Sequence, residues 1–263
     1  MNNRISEQLS QPDTISELRE RVGEGVSFKS IAKPNTDPGD PLFEEYDDVR
    51  VEWVQNVYNW LPPFHSDIDR LDIDDVTQII GVTKEQDDQE VLLSAMRLTP
   101  IQDLGESLTW DMIKIISSGE EDKIKEKLMS NDGFRQALSE GRVYDVTRAF
   151  PNHEYPDYAE KSILQLFGAS IAYCDMAQEG YCAPQDYYWL FTPNRPLKLF
   201  LSRHDIPFSE VSGDNKSDRR NQTSVMVVHV KEAYDHLTQV APDHPSHKII
   251  VDATELARRQ LIV

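Results

Sequence analysis

The stretch VTQIIGVTKEQDDQEVLLSAMRL (76–98) decides the fold. Two β-rich runs, Val76–Thr83 and Glu90–Leu98, flank the charged link KEQDDQ (84–89), the pattern of an antiparallel hairpin near the centre of a sheet. On its N-terminal side, Phe43, Tyr46, Val49, Trp53, Val57 and Trp60 recur at steps of three and four, which predicts a helix with one apolar face. Pro62 and Pro63 stop that helix, and the prolines of KPNTDPGDP (33–41) forbid regular structure before it. Residues 1–25 are polar, with a short helix over Ser16–Arg21, so they are expected to form an N-terminal extension to a domain spanning 26–263.

On the C-terminal side, residues 108–140 look helical with polar breaks. There follow a strand at Arg142–Ala149, a helix at Tyr158–Glu179, and a β-α-β run of Tyr187–Phe191, Leu197–Arg203 and Pro207–Val211. The tail offers strands at Thr223–Val230 and Lys248–Val251 and helices at Lys231–Val240 and Thr254–Leu261. This alternation predicts an α/β fold around a mixed sheet, and such a fold alone names no function.

The 263 residues carry 27 Lys and Arg against 46 Asp and Glu, a formal charge of −19. That balance disfavours nucleic-acid phosphates and anionic lipid surfaces as partners. No apolar leader and no membrane-length apolar run is present, which points to a cytoplasmic protein. The two cysteines, Cys174 and Cys182, form no metal-type CxxC, so reduced thiols are expected.

Three clusters are candidates for chemistry. Asp67, Asp69, Asp72, Asp74 and Asp75 crowd the segment SDIDRLDIDDV, but the glycine and terminal glutamate of a calcium-binding EF-hand loop are missing, and a solvated acidic face explains them as well. In VYDVTRAFP (143–151), Asp145 and Arg148 fall on opposite faces of a strand unless a bulge realigns them. They are either a surface pair or a general base with its partner. Arg97, among apolar neighbours in AMRLTP, needs an acidic partner, and the aspartates at 67–72 are the natural source. There is no GxSxG elbow, Walker loop, HExxH or dinucleotide fingerprint. The histidines His229, His236, His244 and His247 are expected on surfaces, with no metal and no cofactor.

Taken in order, Arg50, Trp60, the run Asp67, Asp69 and Asp72, Arg97 in MRLTP, and Asp145, Thr147 and Arg148 in DVTR resemble the motifs of the acyl-homoserine-lactone (autoinducer) synthases. The likeness runs from about residue 26 to 240. Asp145 and Asp67 stand where that family usually has glutamate, Thr147 where it has serine, and His204-Asp205 where it has a small residue and glycine. The resemblance implies a GNAT-like mixed central sheet flanked by helices and an acyltransferase that makes quorum-sensing signals. It would join the acyl group of an acyl-carrier-protein or coenzyme A thioester to the amine of S-adenosylmethionine, close the lactone and release methylthioadenosine. It further implies that Arg50, Trp60, Asp72 and Arg97 bind S-adenosylmethionine, and that Asp145, Arg148 and Asp69 serve catalysis. A GNAT-type acyltransferase acting on another amine, and a noncatalytic GNAT-like binding protein, are the alternatives.

Overall fold

The computed structural model describes residues 14–33, 36–37, 39–52, 75–116, 119–177, 186–192, 195–212, 224–240 and 243–260. Helix α1 (Ile15–Val22) opens with a capping box on Thr14 and Glu17 and leads into β1 (Val26–Ser30). Helix α2 (Pro41–Glu52) follows, then β2 (Gln78–Gln86) and β3 (Gln89–Ile101), the expected hairpin. Most of the charged link is strand: the turn is only Asp87-Asp88, both with positive φ, 51° and 62°. That is the two-residue turn geometry whose twist matches the flanking strands, and aspartate tolerates it better than most side chains.

Helices α3 (Leu108–Ile116), α4 (Glu121–Met129) and α5 (Asp132–Ser139) divide the predicted helical stretch, and β4 (Val143–Pro151) comes next. After α6 (Ala159–Ala177) come β5 (Tyr188–Phe191), α7 (Arg195–Arg203), β6 (Ser209–Ser212) and β7 (Ser224–His229). Helix α8 (Val230–Asp235) runs into a π-helical turn, His236–Val240, and α9 (Pro245–Gln260) closes the described chain. The strand expected at Lys248–Val251 is therefore wrong. Those β-branched residues lie inside α9, where Pro245 occupies the first turn and the buried Ile250, Ala253, Leu256 and Ala257 follow the helical step.

The strands form one mixed sheet in the order β1-β2-β3-β4-β5-β7-β6. Every neighbouring pair is antiparallel except β4–β5 at the centre. This is the mixed sheet flanked by helices that the motifs implied. The β-α-β run is a split one, because β7 lies between β5 and β6.

One face carries α6 and α9, with a continuous core that takes in Ile80, Met96, Leu98, Val146, Trp189 and Met226. Gly168 lets α6 and α9 touch: a Cβ there would sit 2.4 Å from the Ile250 carbonyl oxygen. Leu18 and Val22 of α1 are buried in this same core, although they lie within the expected N-terminal extension. The opposite face is covered by two separate apolar clusters. One, beneath α2, includes Tyr46, Val49, Ile79, Ala95 and Phe150; the other, beneath α3 to α5, includes Trp110, Phe134, Val143 and Leu190. Among the described residues, no helix is long and apolar enough to cross a membrane.

Candidate active site

Between those two clusters the sheet turns polar. Arg97 pairs across the ladder with Thr147, and Thr99 with Asp145. Side chains two apart on a strand share a face, so the four form a block on one face of β3 and β4. Ile79 of the α2 cluster lies opposite Arg97, and Leu190 of the other cluster is level with Asp145. Arg97 is fully buried and donates from Nε to the Thr147 hydroxyl at 2.9 Å. Thr99 is bonded to Thr77 through their hydroxyls at 3.0 Å.

Asp145 is also fully buried. Its Oδ2 accepts from the backbone N–H groups of Leu108 at 2.7 Å and Thr109 at 3.3 Å, the first two residues of α3. The Ser107 hydroxyl caps that helix by accepting from the Trp110 N–H at 3.0 Å. A helix N-terminus stabilises a carboxylate. Burial nevertheless dominates and raises the Asp145 pKa, with Thr109, Ser107 and the Leu108 amide pulling the other way. Its second oxygen, Oδ1, has no hydrogen-bond partner among the described residues.

Backbone geometry opens the sheet beside this carboxyl. The parallel pairing of β4 with β5 covers only Val143, Tyr144 and Asp145, so from Val146 onwards β4 is paired with β3 alone. The ladder between β3 and β4 then shifts: Arg97 faces Thr147 and Ala95 faces Phe150, which leaves an extra residue on β4. Arg148 lies in this bulge with φ at 58°. The bulge puts Phe150 on the same face as Thr147 despite the odd spacing. The far end of β4 is anchored by Asn152, whose amide donates to the Leu92 carbonyl at 2.8 Å and to Glu45 at 3.1 Å. Glu45 in turn accepts from the Leu92 N–H, and burial raises its pKa.

Of the predicted residues, the structure brings Arg97 and Asp145 into one polar block and puts Arg148 in the adjoining bulge. Arg50 is buried in the last turn of α2, on the helix that covers the same face. Trp60, Asp69 and Asp72, with the rest of the acidic segment from Asp67 to Asp74, lie outside the described residues. Thr99, Thr77, Ser107 and Thr109 belong to the block and were not singled out by sequence. Their only signal was the alternation that puts residue 99 beside 97. Leu190 and Phe191, neighbours on β5, belong to cores on opposite faces of the sheet, and Leu199 of α7 is exposed. The expectation of surface histidines also fails in part, since His204 and His247 are buried.

No family model matches the chain, and no curated protein matches it. Solved structures do. BjaI, a CoA-dependent acyl-homoserine lactone synthase with SAM and isopentyl-CoA, is 13% identical over 90% of this chain and 100% of its own, with a TM-score of 0.49. MesI, another CoA-dependent acyl-homoserine lactone synthase, is 11% identical over 90% and 95%, with a TM-score of 0.47. FeeM, an N-acyl amino acid synthase from uncultured soil microbes, is 11% identical over 80% and 93%, with a TM-score of 0.43.

Proposed function

We propose that this chain is an N-acyltransferase of the acyl-homoserine-lactone synthase type, acting in the cytoplasm on S-adenosylmethionine and an acyl-carrier-protein or coenzyme A thioester. The observation that supports the proposal is the buried Asp145 carboxyl, with one oxygen fixed on α3 and the other without a hydrogen-bond partner among the described residues, at the point where β4 and β5 part. A strand whose backbone is unpaired on one side, next to a bulge, is a place where an extended thioester arm can lie along the sheet.

In the reaction the amine nitrogen of S-adenosylmethionine attacks the thioester carbonyl. The new C–N bond forms, the C–S bond breaks, and the carrier leaves as its thiol. Asp145 Oδ1 takes the amine proton and returns it to the departing thiolate sulfur. The methionine carboxylate then attacks its own γ-carbon, the C–S bond to the sulfonium breaks, and methylthioadenosine departs as a neutral thioether. Arg97 and Arg50 are the cations suited to the substrate carboxylate. By the resemblance, Asp69 and Asp72 would serve its amine and sulfonium and Trp60 would contribute to its binding, while Arg148 orients the base or holds the carrier.

A second reading has a specific observation in its favour. Asp145 already satisfies two amides at the start of α3, which is a sufficient structural role for a buried carboxyl in a noncatalytic relative. An acyltransferase for another amine would keep the thioester cleft and make no lactone.

The test is to mix the protein with S-adenosylmethionine and acyl-carrier and acyl-coenzyme A thioesters, following methylthioadenosine and lactone by mass spectrometry. Both products are expected, and Asp145→Asn should lower kcat/KM about 10²-fold or more, in the range of a general base. The ionised carboxylate is the active form, and its pKa is raised from the ordinary 3.8. Activity should therefore climb as pH rises through that raised value, and this limb should vanish in Asp145→Asn. Acylated product without methylthioadenosine would favour another amine; no turnover with any donor would favour the binding protein.

A further inference from the structure

Far from Asp145 in sequence, three side chains converge at the end of α7: Asp205, His236 and His247 each offer a ligand atom, all within 4.8 Å of one another. They come from three elements: the turn after α7, the start of the π-helical turn, and the first turns of α9. We propose that they form a binding site for a divalent transition metal, with Zn²⁺ as the best-matched ion, that staples these three elements together. The proposal is independent of the acyl-transfer reading.

The donor set is chemically apt. Two imidazoles and one carboxylate suit zinc and its neighbours rather than calcium or magnesium, which prefer oxygen alone. Zinc bonds of about 2.0–2.2 Å put tetrahedral ligands roughly 3.3 Å apart, so small side-chain rotations suffice to close the cluster. His236 Nε2 and Asp205 Oδ2 are already 2.8 Å apart. His247 is buried, and its Nε2 donates to the His204 carbonyl at 2.9 Å. A carbonyl in that position fixes the ring and its tautomer, with the lone pair on Nδ1, as outer-shell partners of metal-bound histidines do. His244 lies near His247, tilted at 4.6 Å between ring centroids, but its Nδ1 accepts from the Ser246 N–H at 3.3 Å, so solvent is the simplest fourth ligand. Asp205 and His236 are accessible to an entering ion, with side-chain exposures of 63% and 24%.

Backbone geometry gives a second, separate argument. Helix α7 ends in a Schellman motif: the Ile206 N–H bonds the Leu201 carbonyl at 2.9 Å and the Asp205 N–H bonds the Ser202 carbonyl at 3.3 Å. Asp205 fills the left-handed position, φ 51°, where glycine is the unstrained choice. Aspartate tolerates this conformation better than most side chains, and here it places a carboxylate at a position usually held by glycine. The π-helical turn that begins at His236 is likewise a rare element frequent at such sites.

The experiment uses the full chain without an affinity tag, stripped with a chelator and titrated with Zn²⁺ against a chromogenic competitor. One Zn²⁺ per chain is expected at micromolar affinity or tighter, with saturating metal raising Tm by roughly 5–10 °C. His236→Gln should weaken binding at least tenfold. Asp205→Gly should do the same, while its metal-free Tm stays within about 2 °C of the parent, because glycine is the favoured residue at that helix end. Binding only at millimolar metal, or micromolar binding unchanged in both variants, would overturn the proposal.

Discussion

The two faces of the sheet solve different problems. Under α6 and α9 apolar side chains run unbroken from β1 across to β7, and the helices approach closely enough that only glycine fits at 168. On the other face the apolar cover stops on either side of Arg97, Thr99, Asp145 and Thr147. Burying a guanidinium and a carboxyl there gains less than filling the gap with aliphatic residues would. What the fold keeps in return is a positioned carboxyl beside an opening in the sheet, and departures from the packing rule are expected where chemistry is done. One face holds the molecule together; the other presents the candidate site.

The sharpest way to break this contrast is to overfill the covered face. A Cβ at position 168 would meet the Ile250 oxygen at 2.4 Å, Ala253 Cβ at 2.8 Å and Thr254 N at 2.9 Å, two of them backbone atoms. Gly168→Val forces the helices apart and should cost about 3 kcal/mol or more in urea unfolding. A variant as stable as the parent would mean that this face is looser than its packing implies.

The same measurement on the polar face should give a smaller and chemically specific loss. Thr147→Val removes the acceptor of the buried Arg97 Nε–H and should cost about 1–3 kcal/mol, whereas Thr147→Ser keeps the hydroxyl and most of the stability. Equal losses in the two variants would assign the effect to packing rather than to the hydrogen bond.

The sequence was legible where periodicity and burial agree. The hairpin's two β-rich runs are buried through their middle, and the buried residues of α2 hold the helical step, so the hairpin and the described part of the Phe43–Trp60 helix appear close to where they were expected. It misled where composition and context disagree. KIIV reads as strand by β-branching, yet Pro245 and the contact with α6 make it helix. For the site, motif order marked Arg97 and Asp145, but nothing local placed α3 against Asp145, because that contact spans 37 residues. The histidines are a similar case: Asp205 and His236 are 31 residues apart and meet only because the fold brings the turn after α7 against the π-helical turn.

The smallest effect bears on the donor. Lys198 and Arg203 of α7 carry the charge that an acidic acyl carrier protein would meet there, but Lys198 pairs with Glu210, and Arg203 lies 3.4 Å from Glu160. The Arg203 pair is solvent-exposed, 72% and 53%, so Arg203→Ala should change stability by less than about 0.5 kcal/mol. Its consequence would show in docking. If the carrier protein approaches over α7, KM for an acyl-carrier donor should rise roughly three- to tenfold in Arg203→Ala, more at low salt than at high, while KM for the coenzyme A thioester stays put. A coenzyme A donor asks much less of the surface charge than a folded acidic partner does. With a chain at −19 and the described cations of α7 already paired, an unchanged KM for both donors would remove α7 as the carrier's landing place and leave coenzyme A as the donor that this surface suits better.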